Sequence, residues 1–93
     1  MLSASVPFQS VLFDVVADAE PGLLPRMLVP FARRDLALDQ VKARRSGGAM
    51  LVTLGMEAMP SEMVHRVEGN LRQIVGVRRV EVVLRGAVRA LAA

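Results

Sequence analysis

The chain has 93 residues, is 53% hydrophobic with 3% aromatic residues, and carries a formal net charge of +3. That length fits one domain with one modest core, and the apolar content favours folding over disorder, with surface to spare for association. The absence of cysteine excludes disulfides, thiol nucleophiles and cysteine-held zinc or iron–sulfur groups, and the single histidine, His65, gives a metal centre little to build on.

The opening residues, "MLSASVPFQSVLFDVV", lack a basic leader and are interrupted by Pro7, Gln9 and Asp14, unlike a secretion signal. No apolar run nears the roughly 20 residues of a membrane helix. The chain therefore reads as soluble and cytoplasmic, with no membrane partner. Its basic residues are interspersed with carboxylates rather than massed on one segment, which does not favour nucleic acid.

In chain order, "VLFDVVA" (11–17) alternates Val11, Phe13, Val15 and Ala17 against Leu12, Asp14 and Val16, the mark of a strand with one buried face. Leu23, Met27 and Phe31 then step by four, joined by Leu24 and Leu28, which predicts a helix. Pro21 suits the start of that helix and Pro25 lies just past its free donors, but Pro30 is interior and predicts a kink near 26–30 without a break. Asp35 can take the left-handed conformation that ends the helix.

"LALDQVKARR" (36–45) alternates again, with a phase shift near Asp39 and Gln40, and predicts a second strand with an irregularity. "SGG" (46–48) marks a hairpin turn into a strand with Met50, Val52, Leu54 and Met56 on one side. Pro60 and Ser61 open a second helix in which Met63, Val67, Leu71 and Val75 step by four, with Val64 and Ile74 beside them and Gly76 closing it. "VRRVEVVL" (77–84) is the last strand, with Val80, Val82 and Leu84 on one face. Residues 1–10 read as an N-terminal extension, 11–85 as the domain and 86–93 as a weakly helical or frayed tail.

The order strand, helix, strand, strand, helix, strand predicts an α+β fold, the ferredoxin-like βαββαβ arrangement: a four-stranded antiparallel sheet with both helices on one face. Its other face would carry Leu12, Asp14, Val16, Leu51 and Thr53. The fold hosts unrelated functions, so side chains must discriminate. A single-stranded RNA reader needs aromatics on the central strands, and Phe13 there points to the core. Arg26 falls beyond the loop in which a phosphate-gripping arginine would sit. His65 reads as a surface residue, and Lys42, Arg44 and Arg45 as an exposed hairpin tip, with binding of an anion or acidic partner the lesser alternative.

The junction "AEPGLLPRMLVPFARRDLALDQVKA" and the closing "EMVHRVEGNLRQIVGVRRVEVV" resemble the ACT domain family, most closely the short regulatory (small) subunit of acetolactate synthase. The resemblance implies a non-catalytic protein with no catalytic residue, no metal and no cofactor. It would form a homodimer through sheet edges and the first helix, and bind the large catalytic subunit of acetolactate synthase in branched-chain amino-acid biosynthesis. In that family a small amino-acid effector lies between two domains, held by the glycine loop of one and the start of the second strand of the other. By position, Gly22 and Leu23 would supply backbone amides, with Leu24 beside them. Ala19 and Ala37 stand where effector-gripping subunits carry asparagine, and Glu20 is the loop's main polar group. Losing both amides implies weak or absent feedback. The alternative is a stand-alone amino-acid sensor with another partner.

Overall fold

The computed structural model describes residues 7–87. The first strand, β1 (Phe8–Asp18), keeps the strict alternation of its sequence, so Val11, Phe13, Val15 and Ala17 are buried while Leu12, Asp14 and Val16 are half-exposed on the opposite side. β1 starts within the segment read as an extension.

Helix α1 (Leu23–Ala32) follows a turn that contains Pro21, with Gly22 as its N-cap. Pro25 is therefore the third helical residue, inside the group of positions whose N–H needs no partner. The helix continues through Pro30 for two more residues, as the apolar stripe ending in Phe31 requires. It stops as expected at Asp35, which takes φ +55°. There the Leu36 N–H donates to Phe31 O at 2.9 Å and the Asp35 N–H to Ala32 O at 3.2 Å, the bond pair of a Schellman stop.

The predicted second strand is shortened. β2 (Gln40–Ser46) begins at Gln40, and Leu36 and Leu38 lie in the preceding loop with their side chains packed against the core. Their alternation reflects two leucines tucked under a loop rather than ladder pairing. Gly47 at φ +62° and Gly48 form the two-residue turn to β3 (Ala49–Pro60). β3 outruns its predicted length because it bulges at Glu57 and Ala58, where the pairing of β1 jumps from Met56 to Met59. Beyond the bulge Met59 turns back into the core.

A short 3₁₀ turn (Ser61–Met63) leads into α2 (Val64–Arg72), which buries Val64, Val67 and Leu71. The helix ends before Val75, which is 86% exposed rather than part of the stripe. Ile74 still packs against the core, and Gly76 closes the turn at φ +102°. A Cβ on Gly76 would lie 2.7 Å from Leu23 Cδ1, so both backbone and space demand glycine there. β4 (Val77–Ala87) runs two residues past residue 85, and residues 88–93 of the predicted tail lie outside the described residues. Val80 is buried and Val82 packs on the core, but Leu84 on the same face is 54% exposed beyond the helices.

The four strands form one antiparallel sheet in the order β2-β3-β1-β4. This is the predicted ferredoxin-like βαββαβ architecture. The core lies between sheet and helices, and Phe13 of β1 meets Phe31 of α1 edge to face at 5.7 Å between centroids. The far side of the sheet carries Leu12, Asp14, Val16, Leu51 and Thr53 as predicted, with Thr53 Oγ1 donating to Asp14 Oδ1 at 3.0 Å.

Candidate functional site at the β1–α1 junction

The residues singled out from sequence divide between the two ends of the sheet. Ala19, Glu20, Gly22, Leu23 and Leu24 sit together where β1 gives way to α1. This end is fastened to its neighbours on both sides. The Asp18 N–H donates to Gly76 O at 2.8 Å and the Ala19 N–H to Gly48 O at 3.0 Å. Arg78 adds a 2.7 Å ion pair from its Nε to Asp18 Oδ1 and a contact from Nη2 to Gly48 O at 3.3 Å. The pairing of β1 with β4 jumps past Arg78, whose side chain the resulting bulge re-aims at Asp18.

The Leu23 N–H is engaged with Glu20 O at 3.1 Å, and the Leu23 side chain is fully buried against Gly76. Among the described residues the N–H groups of Gly22 and Leu24 have no backbone acceptor, so they are the amides open to an outside group. Gly22 itself lies in the ordinary right-handed region, and a Cβ there would make only normal contact, 3.6 Å from Arg26 Nη2. Neither strain nor crowding dictates glycine at that position. The Arg26 guanidinium leans back over the helix start, and Glu20 is exposed nearby in sequence.

Ala37 lies at the opposite end. It borders a surface depression with Phe8, Asp35, Met56 and Pro60. Phe8 and Pro60 pair at one end of the β1–β3 ladder, whereas Asp18 and Ala49 pair at the other. One chain alone therefore does not bring Ala37 to Gly22.

Sequence reasoning missed a cleft on the far side of the sheet. β3 bulges at Glu57 and Ala58 and β4 at Arg85 and Gly86, both beside Ser10 of β1, which opens the sheet there. The cleft, about 310 Å³, is walled by Ser10, Leu12, Gln40, Glu57 and Arg85 and floored by Gly55. A Cβ on Gly55 would stand 2.8 Å from Leu12 Cδ2 and 3.2 Å from Gln40 Oε1. Asp39 braces the wall: its N–H donates to Gly55 O at 2.8 Å and its Oδ2 accepts the Glu57 N–H at 2.7 Å. Only Gly55, an unexplained glycine inside an apolar strand, hinted at it.

The His65 side chain is 92% exposed and, among the described residues, reaches only Glu68. Glu68 also accepts from Arg72 Nη2 at 2.8 Å, and this bond, more than the neighbouring His65, holds its carboxyl below the ordinary glutamate range. Arg72 donates as well to Val80 O at 2.7 Å, tying α2 to β4. Among the described residues no group of three or more His, Cys, Asp or Glu could hold a metal ion, and no helix is long and apolar enough to cross a membrane.

No protein-family model matches the chain, and no curated protein matches it in sequence. Solved structures do match. An uncharacterized protein from Thermotoga maritima, TM1266, superposes with a TM-score of 0.70 at 14% identity, over 85% of this chain and 99% of that one. The C-terminal domain of the MgtC protein from Mycobacterium tuberculosis does so with a TM-score of 0.67 at 15% identity, over 88% and 93%. The ACT domain of GTP pyrophosphokinase from Chlorobium tepidum gives 0.70 at 14% identity, over 82% and 99%. The likeness spans nearly the whole of each neighbour, so the ferredoxin-like βαββαβ fold of this chain is the ACT-like form of that architecture.

Proposed function

We propose that this protein is a non-catalytic regulatory subunit that dimerises and tunes the large catalytic subunit of acetolactate synthase, with weak or absent feedback by an amino acid. The observation that carries the reading is the state of β2 in an ACT-like fold. After Gln40 every residue of this edge strand is exposed, and Val41, which points to the helix side, is 47% exposed because neither helix reaches it. An edge that is uncovered and unpaired is a ready template for a second strand.

Antiparallel pairing of two β2 strands inverts one copy relative to the other. The Ala37 end of one chain then lies toward the Gly22 end of its partner, which would unite the two halves of an effector site that one chain keeps apart. The site so formed would offer the Gly22 and Leu24 amides but no side-chain amide from Ala19 or Ala37, and Glu20 would oppose a carboxylate. Such a subunit would bias its partner through differential affinity for the partner's states, with little response to effector.

Mixing the protein with the large subunit tests this. The expected result is co-elution and raised turnover, with valine changing turnover less than about twofold, a coupling below ~0.5 kcal/mol. Unchanged turnover without co-elution sinks the reading.

The cleft at Gly55 favours a second reading, a stand-alone amino-acid sensor. Glu57 and Arg85 on its walls offer opposite charges of the kind an α-amino acid presents in complement. Thermal shift across the twenty amino acids tests it, and stabilisation by one of them, abolished by Arg85→Gln, is the supporting outcome.

A further inference from the structure

The outer surface of the helix layer carries a groove between α1 and α2, apart from the β2 edge and from the Gly55 cleft. Arg26, Val29 and Pro30 of α1 and Arg33 just past its end face Asn70, Gln73 and Ile74 of α2 and its following turn across about 220 Å³. Arg26 and Arg33 make no ion pair or side-chain hydrogen bond among the described residues. The nearest carboxylate of α2, Glu68, is already shared by Arg72 and His65.

The spacing carries information. Residues seven apart fall on nearly the same helix face, so the backbone positions of Arg26 and Arg33 stand two turns apart, about 10 Å along the axis, a spacing the Arg26 side chain meets by swinging away from Gly22. Between them lies an apolar floor of Val29, which is 41% exposed, Pro30 and Ile74, and opposite them stand two carboxamides. This pattern complements an amphipathic helix with carboxylates seven residues apart and one apolar side chain midway. A short dicarboxylate would not span both guanidiniums while covering the floor. A single-stranded nucleic acid would lack stacking aromatics.

We propose that this groove docks an acidic amphipathic helix of a protein partner, gripped at its ends by Arg26 and Arg33 and seated through one apolar side chain on Val29, Pro30 and Ile74. Asn70 and Gln73 fix its rotation by hydrogen bonds to its polar edge. The inference rests on the reading that the protein acts by binding another protein.

A 21-residue alanine-based helical peptide, with glutamates seven residues apart and leucine midway, is the probe, titrated into the full chain and followed by amide chemical shifts. The expected result is saturable shifts confined to α1 and α2, a loss of affinity on the order of threefold for each of Arg26→Gln and Arg33→Gln, and a larger loss for Arg26→Glu combined with Arg33→Glu. The same peptide with glutamine for glutamate should bind the wild-type chain weakly and the doubly reversed chain no worse. Absence of shifts, shifts centred on β2, or equal responses to citrate or a uridine oligonucleotide at the same charge overturn the proposal. Because the probe does not involve the acetolactate synthase large subunit, failure of co-elution would leave this inference standing, and failure of the peptide beside intact co-elution would remove it alone.

Discussion

β1 and β2 belong to one sheet and share one ladder partner, β3, yet they live in different environments. β1 has a strand on each side and both helices above its inner face, and its four alternate apolar residues are buried. β2 has one neighbour, and Val41 and Ala43 on its inner face are exposed along with the cationic side chains between and after them. β4 is also an edge, but Arg72 clasps it to α2 through Val80 O. The difference separates residues that hold the domain together from residues that the fold leaves uncovered.

Substitutions should widen or close that gap. Phe13→Ala in β1 removes a ring wedged against Phe31 and should cost about 4 kcal/mol in urea unfolding. A loss under about 1 kcal/mol would mean that the helix–sheet contact is not the core. At the start of β4, Gly76→Ala meets both the positive φ and the Leu23 side chain, and a loss of about 3 kcal/mol is expected in thermal melts. In β3, Gly55→Ala presses on Leu12, a half-exposed side chain with room to turn, so about 1 kcal/mol is expected, together with closure of the far-side cleft.

The Glu68–Arg72 ion pair beside that clasp should weaken in acid. The Glu68 carboxyl sits below its unfolded range, so its contribution is complete above the ordinary glutamate range and disappears as pH falls through its folded value. The effect of a surface pair is below about 1 kcal/mol, and Glu68→Gln should flatten that acidic limb. Smallest of all, Val41→Lys on β2 should leave the unfolding free energy within about 0.5 kcal/mol. Sedimentation should nonetheless show weakened self-association, and a dimer unchanged by Val41→Lys would argue against pairing through β2.

Legibility in the sequence followed the same division. Where periodicity and burial agree, as in Val11 to Ala17 or Leu23 to Phe31, the elements are readable from residue spacing, and Asp35 could be recognised as the helix stop because its side chain tolerates the left-handed region. Leu36 and Leu38 misled because alternation cannot distinguish a ladder from two anchors under a loop. Val75 misled because a four-residue step continues in the sequence after the helix has already ended at Arg72 and Gln73. The cleft beside Ser10 was hidden since it arises from paired bulges on two strands distant in sequence, a property of register and not of any one segment. Gly22 could be located as a helix start, whereas the engagement of the Leu23 amide with Glu20 depends on the turn actually adopted.

The carbonyl of Gly48 receives both the Ala19 amide and the Arg78 guanidinium, so the tip of the β2–β3 hairpin is knotted to the root of α1 and the foot of β4 by a single oxygen. A strand added to β2 should steady that hairpin and slow the exchange of the Ala19 amide proton with solvent. Hydrogen exchange at this one alanine thus becomes a gauge, read beside the hairpin tip, of whether the edge is occupied.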